Sequence, residues 1–449
     1  MYLDHLHPAL TQGLVTEARI SEAAMRLYLA YMRAGRFDPV DDANPFRAFG
    51  AESLNSSASQ RVNLEAGEQA LVLLQNTGGL LPLKRGLKVA VLGPQGVTTS
   101  GLLPDYSGND RNGQTCQTNG QPSYDCIETI AAAIAAANTG GTTVAAGGVD
   151  VNSTDQSRIA AALALAADAD VVILALGIDK TIEHEGTDRT DTRLPGLQEA
   201  FAHQVLAVGK RTVLVLTNGG QLAIDSFLSP SGSQALPTGV PLPAAIVEAF
   251  NPSLTGARGI ALHLFGDINR WGKLPYTLYP YDYINQQPMA NYDMAKPPGR
   301  TYKYYSGRPL FPFGFGLSYA NLSLACPAGT SAAGAPPTVA TCTVRNHGPM
   351  DADAIVMVYH AVGDDVRSSL GYTVPLTQLR AFDRIRVAAG SESTVELTLG
   401  TTWQEPLQLV DQHGQLALHP GTHFLLFTLG TEMDAKRGLQ IDARWTIQV

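Results

Sequence analysis

The sequence has little charge and no long apolar run. Charged residues make up 16% of its 449 residues and hydrophobic residues 45%, a balance typical of globular proteins and not of disordered ones. No stretch approaches the ~18 consecutive apolar residues of a membrane-spanning helix, so we expect no membrane partner. The formal net charge of −9 argues against nucleic acid and anionic lipid as partners.

Cysteine is also scarce. The four cysteines form two local pairs, Cys116 with Cys126 and Cys326 with Cys342. Neither pair has the Cys-x-x-Cys spacing of a zinc site and no histidine pair accompanies them, so we expect no metal. The turns after the predicted strands lack the glycine patterns that bind phosphates or dinucleotides, so we expect no cofactor. The pairs form two disulfides if the protein is exported and remain reduced thiols otherwise.

The features that bear on export disagree. The amino terminus lacks the basic start and apolar stretch of a secretory signal, which taken alone keeps the chain as written inside the cell. Three Asn-x-Ser/Thr sequons, at Asn55, Asn152 and Asn321, instead suit a secreted protein. These residues by themselves do not determine whether the protein is exported.

The first part of the chain alternates between helical and strand-like patterns. Helical periodicity covers residues 10–37, with a short helix before it that ends at Gly13, and a second amphipathic helix is predicted at about 59–74 after a linker. Strands are predicted at 89–92, 143–146, 171–176, 213–217, 245–250 and 273–277. Helices are predicted between them at 126–138, 157–167, 195–208 and 256–265. This alternation predicts an α/β fold with a largely parallel, doubly wound sheet and helices on both faces.

A polar loop follows the most apolar of the predicted strands. Residues 177–189 place four acidic side chains, two basic ones and a histidine directly behind the run 171–176. The turns that begin at Gly93, Asn218 and Asn251 follow other strands, so all four segments share the carboxyl edge of the sheet, where open α/β sheets bind ligands. We therefore expect one crevice lined by these segments. The alternative for the loop is a solvated surface segment.

The pattern changes after Asn321. Residues 279–318, rich in Pro, Tyr, Gly and Phe, are predicted to form a long ordered connection. Short β-like runs then follow at 339–344, 354–359, 385–387, 394–399, 407–410 and 423–429, separated by turn residues. Strands of this length and spacing over ~120 residues predict an immunoglobulin-like or fibronectin-like sandwich.

Several long motifs, in the same order along the chain, resemble glycoside hydrolase family 3 and especially its β-xylosidase branch. They are the entry segment at 73–83, the acidic loop with Leu-Pro-Gly at 177–196, a turn and strand at 266–275, Gly-Arg-Thr-Tyr at 299–302 and Phe-Pro-Phe-Gly-Phe-Gly-Leu-Ser-Tyr at 311–319. One departure is the family's Tyr-Pro-Gly-Gln-like turn, which reads Asn251-Pro252-Ser253-Leu254 here.

The resemblance implies a protein of three parts. Residues 1–44 would be the terminal helices of a (β/α)8 barrel that the chain otherwise lacks. Residues 45–320 would be the family's carboxyl-terminal α/β sandwich domain with linkers, and residues 321–449 a fibronectin type III-like domain. The barrel supplies the family's aspartate nucleophile, and no counterpart of that motif occurs here. The resemblance therefore implies a partial chain without its own nucleophile, and an extracellular full-length parent.

The resemblance also assigns roles within the acidic loop. Retaining glycosidases use two carboxyl groups ~5–5.5 Å apart, one as nucleophile and one as acid/base. The family's Glu-Gly-Xaa-Asp-Arg pattern identifies Glu185 as the acid/base, with Glu183 as the second catalytic candidate. Asp188 and Arg189 are the expected substrate-binding residues, and a local ion pair between them would anchor the loop. An ordinary exposed carboxylate is the alternative for each glutamate.

Two hypotheses of different classes follow. The first is a family 3 glycoside hydrolase that removes terminal β-linked xylose or glucose residues from oligosaccharides by a retaining mechanism, as in xylan catabolism. The second is a non-catalytic carbohydrate-binding or scaffold protein derived from that family. Both take an oligosaccharide as partner, and turnover of an aryl β-xyloside or β-glucoside distinguishes them.

Overall fold

The structure is a computed structural model. It describes residues 2–39, 49–50, 56–106, 117–118, 121–122, 124, 126–228, 239–328, 337–436 and 438–449. The chain divides into two compact units, Met1–Arg61 and Val62–Val449. Within these ranges, no helix combines the length and the apolar character needed to cross a lipid bilayer.

The amino-terminal unit contains two helices, α1 (Tyr2–Thr11) and α2 (Glu17–Arg33). Gly13 lies between them in the left-handed conformation, at φ +69°, which ends the first helix at the predicted glycine. The Thr16 hydroxyl caps α2 by accepting a hydrogen bond from Arg19 N at 3.2 Å. No residue of α2 is buried.

The predicted helix at 59–74 is wrong at its carboxyl end. Helix α3 covers Ser57–Ala70, and strand β1 covers Val72–Asn76. The reason is that Leu71, Val72, Leu73 and Leu74 are all buried. A surface helix turns successive side chains towards solvent, whereas a strand between two helical layers buries side chains on both faces.

Six strands form the main sheet in the order β1-β8-β7-β6-β2-β5. After β1 they are β2 (Lys88–Leu92), β5 (Thr142–Ala146), β6 (Val171–Gly177), β7 (Arg211–Thr217) and β8 (Ala245–Glu248), while β3 (Gln117–Thr118) and β4 (Gln121–Pro122) form a separate pair. All neighbours are parallel except β1, which runs antiparallel to β8. The predicted α/β doubly wound sheet is confirmed. Residues 273–277 belong to none of these strands, so that predicted strand is wrong.

Helices cover both faces of this sheet. They are α4 (Pro94–Val97), α5 (Ile130–Ala137), α6 (Ile159–Asp168), α7 (Gln198–Ala207) and α8 (Gly256–Leu264), while two short helices, α9 (Tyr283–Gln286) and α10 (Thr301–Tyr304), lie in the connection that follows. Strand β6 divides its side chains between two cores. Val172, Leu174 and Leu176 pack with α6 and α7, whereas the alternate residues pack with α5 and α8. Burial on both faces explains why β6 is continuously apolar.

The carboxyl-terminal strands form an antiparallel sandwich. One sheet has the order β13-β10-β9 and the other β12-β11-β16-β17. The strands are β9 (Leu322–Ala325), β10 (Val339–Asn346), β11 (Ala352–Val362), β12 (Gln378–Val387), β13 (Glu392–Thr398), β14 (Leu409–Val410), β15 (Leu416–Ala417), β16 (Thr422–Thr428) and β17 (Ala443–Gln448), with helix α11 at Asp364–Ser369. The predicted fibronectin type III-like β-sandwich is confirmed. Alternating burial along β10 is the pattern of a strand with one face on the core.

A disulfide joins two residues of the sandwich core. Cys326 and Cys342 are bonded, with Cα atoms 4.3 Å apart. Cys126 is also disulfide-bonded, whereas Cys116 lies outside the described residues. The sequence left disulfides and reduced thiols as alternatives, and the structure has disulfide-bonded cysteines at Cys126, Cys326 and Cys342.

Two buried histidines connect β11 and β16 of the sandwich. His360 Nε2 and His423 Nδ1 lie 2.9 Å apart, and His423 Nε2 lies 2.8 Å from the carbonyl oxygen of His419. His423 Nε2 must therefore donate to that carbonyl, and His423 Nδ1 accepts from His360. His360 Nδ1 is left to accept from Arg380 Nη2 at 3.2 Å. Both rings are neutral in this network, because a proton on His360 Nδ1 would face another donor.

The histidine pair predicts acid sensitivity of the sandwich. Burial, with Arg380 and His423 adding to it, lowers the pKa of His360 to about 2. Below pH ~6.5 the unfolded chain takes up a proton there that the folded chain does not, so stability falls as pH falls. We expect the unfolding free energy to lose about 1.4 kcal/mol per pH unit between pH 6 and 4 relative to a His360→Leu variant.

Urea titrations at several pH values measure that difference. The matched control is His413→Ala, which removes an exposed histidine from the same sandwich and leaves the His360–His423 network intact. Equal pH slopes for the wild type and His360→Leu would contradict the prediction.

Candidate active site

The acidic loop leaves the sheet at a position fixed by hydrogen bonds. Gly177 N donates to Gln198 Oε1 at 2.9 Å, and Gln198 Nε2 returns a bond to Gly177 O at 2.8 Å. Ile178 N then donates to Thr217 O at 2.9 Å. A Cβ atom at Gly177 would lie only 1.8 Å from that same carbonyl oxygen, so glycine is required here. The start of the loop is therefore held against both β7 and α7.

A tight turn places Glu185 at the tip of the loop. His184 and Thr187 exchange backbone hydrogen bonds of 3.3 and 3.0 Å, and Gly186 supplies the left-handed residue at φ +83°. Glu185 N donates to Asp105 Oδ2 at 3.0 Å, which ties the tip to the segment that follows β2. The Glu185 side chain is exposed, and among the described residues its carboxylate has no hydrogen bond or ion pair.

Glu183 lies in a different environment. Arg189 Nε donates to Glu183 Oε2 at 2.5 Å, and Arg189 Nη2 donates to Gln221 O at 2.9 Å. The Arg189 side chain is only 11% exposed. The expected ion pair between Asp188 and Arg189 is therefore wrong. The turn at 184–187 folds the loop back so that residues six apart meet, while the carboxylate of Asp188 faces solvent.

The turns after β7 and β8 adjoin the loop, as the crevice prediction requires. Asn218 N donates to Phe250 O at 2.9 Å, which joins these two turns. A methyl group added at Gly220 would lie 2.5 Å from Glu183 Oε1, so the loop packs directly on this glycine. The segment after β2 reaches the same place through Asp105. Four segments at the carboxyl edge of the sheet thus come together.

An open cavity of about 850 Å³ lies beside the loop. Charged side chains of both signs line it, among them Asp188, Arg189, Asp191, Arg193 and Glu199, together with His203. Asp191 Oδ2 accepts from Arg193 Nη2 at 2.6 Å, and the Arg193 guanidinium lies 4.7 Å from the centre of the Tyr281 ring. Burial lowers the pKa of His203, opposed by Glu199. A polar cavity of this size accommodates a ligand with many hydroxyl groups.

Sequence reasoning missed Glu248 at this edge of the sheet. It is the last residue of β8 and only 1% exposed. Burial raises the pKa of Glu248 to about 7, opposed by hydrogen bonds from Phe250 N and Asn218 and by the nearby Tyr276 hydroxyl group. The available signal was an acidic residue within the apolar run 245–250, where a strand buried on both faces normally carries none.

The turn after β8 contains two strained residues. Phe250 and Ser253 have φ values of +52° and +61° in the left-handed region, which non-glycine residues rarely adopt. Ser253 stands where the resembling family's turn carries glycine.

Replacement of Ser253 by glycine should therefore stabilise the protein. Glycine adopts φ +61° without the Cβ clash of about 1–2 kcal/mol, and part of this gain is lost to greater freedom of the unfolded chain. We expect a net rise of about 0.5–1 kcal/mol in the unfolding free energy, measured by urea titration. The Ser253 N bond to Leu102 O is retained in the variant. A Ser253→Ala control keeps the clash and should show no gain, so a loss of stability in Ser253→Gly would contradict the prediction.

No group of three or more His, Cys, Asp or Glu side chains that could hold a metal ion occurs within the described part of the chain.

Comparison with known proteins finds relatives along nearly the whole chain. The glycosyl hydrolase family 3 C-terminal domain matches residues 71–319. An exo-1,4-beta-xylosidase of Emericella nidulans is 30% identical over 448 residues, which cover 95% of this chain and 54% of that protein. Beta-D-xylosidase 1 of Arabidopsis thaliana is 30% identical over 453 residues, which cover 93% of this chain and 54% of that protein.

Solved structures share the fold. A GH3 exo-beta-xylosidase in complex with a xylobiose aziridine activity-based probe aligns with a TM-score of 0.76 at 25% identity, covering 94% of this chain and 53% of that one. A GH3 beta-glucosidase of Bifidobacterium adolescentis aligns with a TM-score of 0.72 at 22% identity, covering 99% and 60%. The chain spans about half the length of the curated relatives it matches.

Proposed function

The chain belongs to glycosyl hydrolase family 3, and we propose that it supplies the acid/base residue of a retaining hydrolase acting on terminal β-linked xylose or glucose. The observation that carries the proposal is the contrast between the two glutamates of the loop. Arg189 neutralises Glu183, whereas the Glu185 carboxylate is exposed and unpaired among the described residues. Glu185 is thus the glutamate of this loop that is free to exchange a proton with a substrate.

Glu185 would act twice in the reaction. As a carboxylic acid it would donate its proton to the glycosidic oxygen while the leaving group departs from the anomeric carbon. As a carboxylate it would then take a proton from the water that attacks the glycosyl-enzyme intermediate. The nucleophile would be a second carboxylate ~5–5.5 Å away. We assign it to a (β/α)8 barrel, to which residues 1–44 would contribute terminal helices, followed by domains at 45–320 and 321–449.

Asp188 and Arg189 would have unequal parts in binding substrate. The exposed Asp188 carboxylate lines the cavity beside the loop and would accept hydrogen bonds from sugar hydroxyl groups. Arg189 directs Nε to Glu183 and Nη2 to Gln221 and leaves only its buried Nη1 without a partner among the described residues, so its main part would be to shape that cavity. The disulfide between Cys326 and Cys342 supports an extracellular full-length protein, because such bonds persist in oxidising compartments.

Complementation tests the proposal. The chain is mixed with the separately expressed amino-terminal half of a related β-xylosidase, and 4-nitrophenyl β-D-xyloside and β-D-glucoside are assayed. We expect turnover with the mixture that neither half shows alone. The partner half with its nucleophile replaced is the control for contaminating glycosidase. A folded, associated mixture without turnover on either substrate would contradict the proposal.

A second candidate function is carbohydrate binding without catalysis. The observation in its favour is that the polar cavity is formed within this chain. Titration calorimetry of the chain alone with xylobiose, with Asp188→Ala as the variant and maltose as the control sugar, measures it. Binding of xylobiose together with failed complementation supports this second function over the first.

A further inference from the structure

The acid/base role proposed for Glu185 does not explain why Glu248, at the same edge of the sheet, is a buried glutamate. Its Oε1 accepts a hydrogen bond from Phe250 N at 3.0 Å and its Oε2 accepts one from Asn218 Nδ2 at 3.2 Å. Among the described residues Glu248 has no ion pair, and a buried carboxyl group without a cationic partner costs free energy that an apolar side chain of similar size would not. Packing alone therefore does not explain why a glutamate occupies this buried position. We look for the explanation in the two hydrogen bonds that its carboxyl group accepts.

Those hydrogen bonds join the turns that follow β7 and β8. Asn218 lies in the first turn and Phe250 in the second, and Asn218 N also donates to Phe250 O at 2.9 Å. Phe250 is held at φ +52°, a conformation that a bulky residue adopts only when its surroundings enforce it. The bond from Phe250 N to Glu248 is part of that enforcement. Glu248 thus links the two turns through its side chain, in addition to this backbone bond.

The first of these turns supports the acidic loop. Arg189 Nη2 donates to Gln221 O at 2.9 Å, and Arg189 Nε holds Glu183. Gly220 allows this approach, since a methyl group there would lie 2.7 Å from Arg189 Nη2 as well as against Glu183. A shift of the turn at 218–221 would therefore move Arg189 and Glu183 together.

We propose that Glu248 is a positioning residue for the acid/base loop. Through Asn218 and the turn at 218–221 it sets the position of Arg189 and Glu183, and with them the turn that carries Glu185. The proposal rests on the proposed function for the role of Glu185. Its structural content, that Glu248 orders the loop, is measurable without turnover.

Hydrogen exchange of the full chain, followed by mass spectrometry, tests it with two variants of similar size. Glu248→Leu fills the space but makes neither hydrogen bond, so we expect amides of 183–189 to exchange at least about tenfold faster. Glu248→Gln should stay within about twofold of the wild type. Its oxygen accepts from Phe250 N, and the Asn218 amide turns so that Oδ1, which has no hydrogen-bond partner among the described residues, accepts from the new amide.

If Glu248 served only to pack the core, amides of 183–189 would exchange faster in Glu248→Gln than in Glu248→Leu, because Leu packs better than Gln in an apolar site. Faster exchange spread equally over all six strands of the sheet, or unchanged exchange of 183–189 in Glu248→Leu, would overturn the proposal. Asp365→Asn is the matched control, since Asp365 Oδ2 also accepts a backbone bond, from Thr422 N at 2.8 Å, but in the sandwich. It should leave the loop unchanged.

Gly220→Ala provides a second route if Glu248→Leu does not fold. The added methyl displaces Arg189 and Glu183 without touching Glu248, so the same amides of 183–189 should exchange faster. An unchanged loop in Gly220→Ala would also overturn the proposal. Failed complementation with a normal exchange pattern would count against the proposed function alone.

Discussion

Replacement of Glu185 by alanine is expected to lower kcat/KM for 4-nitrophenyl β-D-xyloside by about 10²–10⁴-fold in the complemented enzyme, because the general acid and base is lost. The loss should be smallest in the first half-reaction for a 2,4-dinitrophenyl xyloside, since that phenolate departs without a proton. Such a dependence on the leaving group is specific to an acid catalyst. Steady-state and pre-steady-state release of the phenol measures it.

Azide provides an independent readout of the same role. The small anion occupies the space left by the Glu185 side chain and attacks the glycosyl-enzyme intermediate without needing a general base. We expect azide to restore turnover of Glu185→Ala and to yield a β-glycosyl azide, with no such effect on the wild type. Glu396→Gln, in an exposed position of β13, is the control and should retain full activity. Unchanged turnover in Glu185→Ala would refute the assignment.

Glu183→Gln separates the two glutamates of the loop. The amide oxygen of this variant can still accept a hydrogen bond from Arg189 but carries no charge, so we expect a smaller loss than for Glu185→Ala. Azide is tested with Glu183→Ala, which leaves space for the anion. If the azide product appears with Glu183→Ala and not with Glu185→Ala, the acid/base role belongs to Glu183.

The second large effect is expected on stability, at Asp353. This carboxylate is 8% exposed and accepts hydrogen bonds of 3.2 Å from Arg270 Nε and from Arg384 Nη1. Arg270 also pairs with Glu65 and Glu68 of α3, so the network joins α3 to the sandwich strands β11 and β12. Asp353→Ala leaves two guanidinium groups without their shared partner. We expect a loss of about 2–3 kcal/mol of unfolding free energy.

The neighbouring Asp351 provides the matched control. It pairs with Arg386 at 2.8 Å, but both side chains are about half exposed or more, at 46% and 71%. Exposed ion pairs contribute little to stability because solvent screens them, so Asp351→Ala should cost clearly less than Asp353→Ala. Urea titrations monitored by tryptophan fluorescence measure both, with Trp271 next to Arg270 as a reporter. Equal losses in the two variants would contradict the prediction.

The local pattern of apolar and polar residues was sufficient to predict much of the fold. The continuous apolar run at 171–176 is β6, and the alternation of strands and helices correctly predicted a parallel sheet. Both are visible in the sequence because a strand buried on both faces carries apolar residues at successive positions. The same reasoning failed at β1. Its apolar residues fit the end of a helix as well as a strand, and only pairing with β8 across the chain distinguishes them.

Apart from β1 and the predicted strand at 273–277, the sequence by itself determined the order of the main-sheet elements, the acidic loop and the candidate glutamates, since hydrophobic periodicity and turn residues are local properties of the chain. Tertiary structure alone decided that Arg189 pairs with Glu183 and leaves Glu185 exposed, and that Glu248 joins two turns. These outcomes depend on how the turn at 184–187 folds back and on which strands become neighbours. Contacts through space between distant residues set the charge environment of each carboxylate, and spacing along the chain does not contain that information.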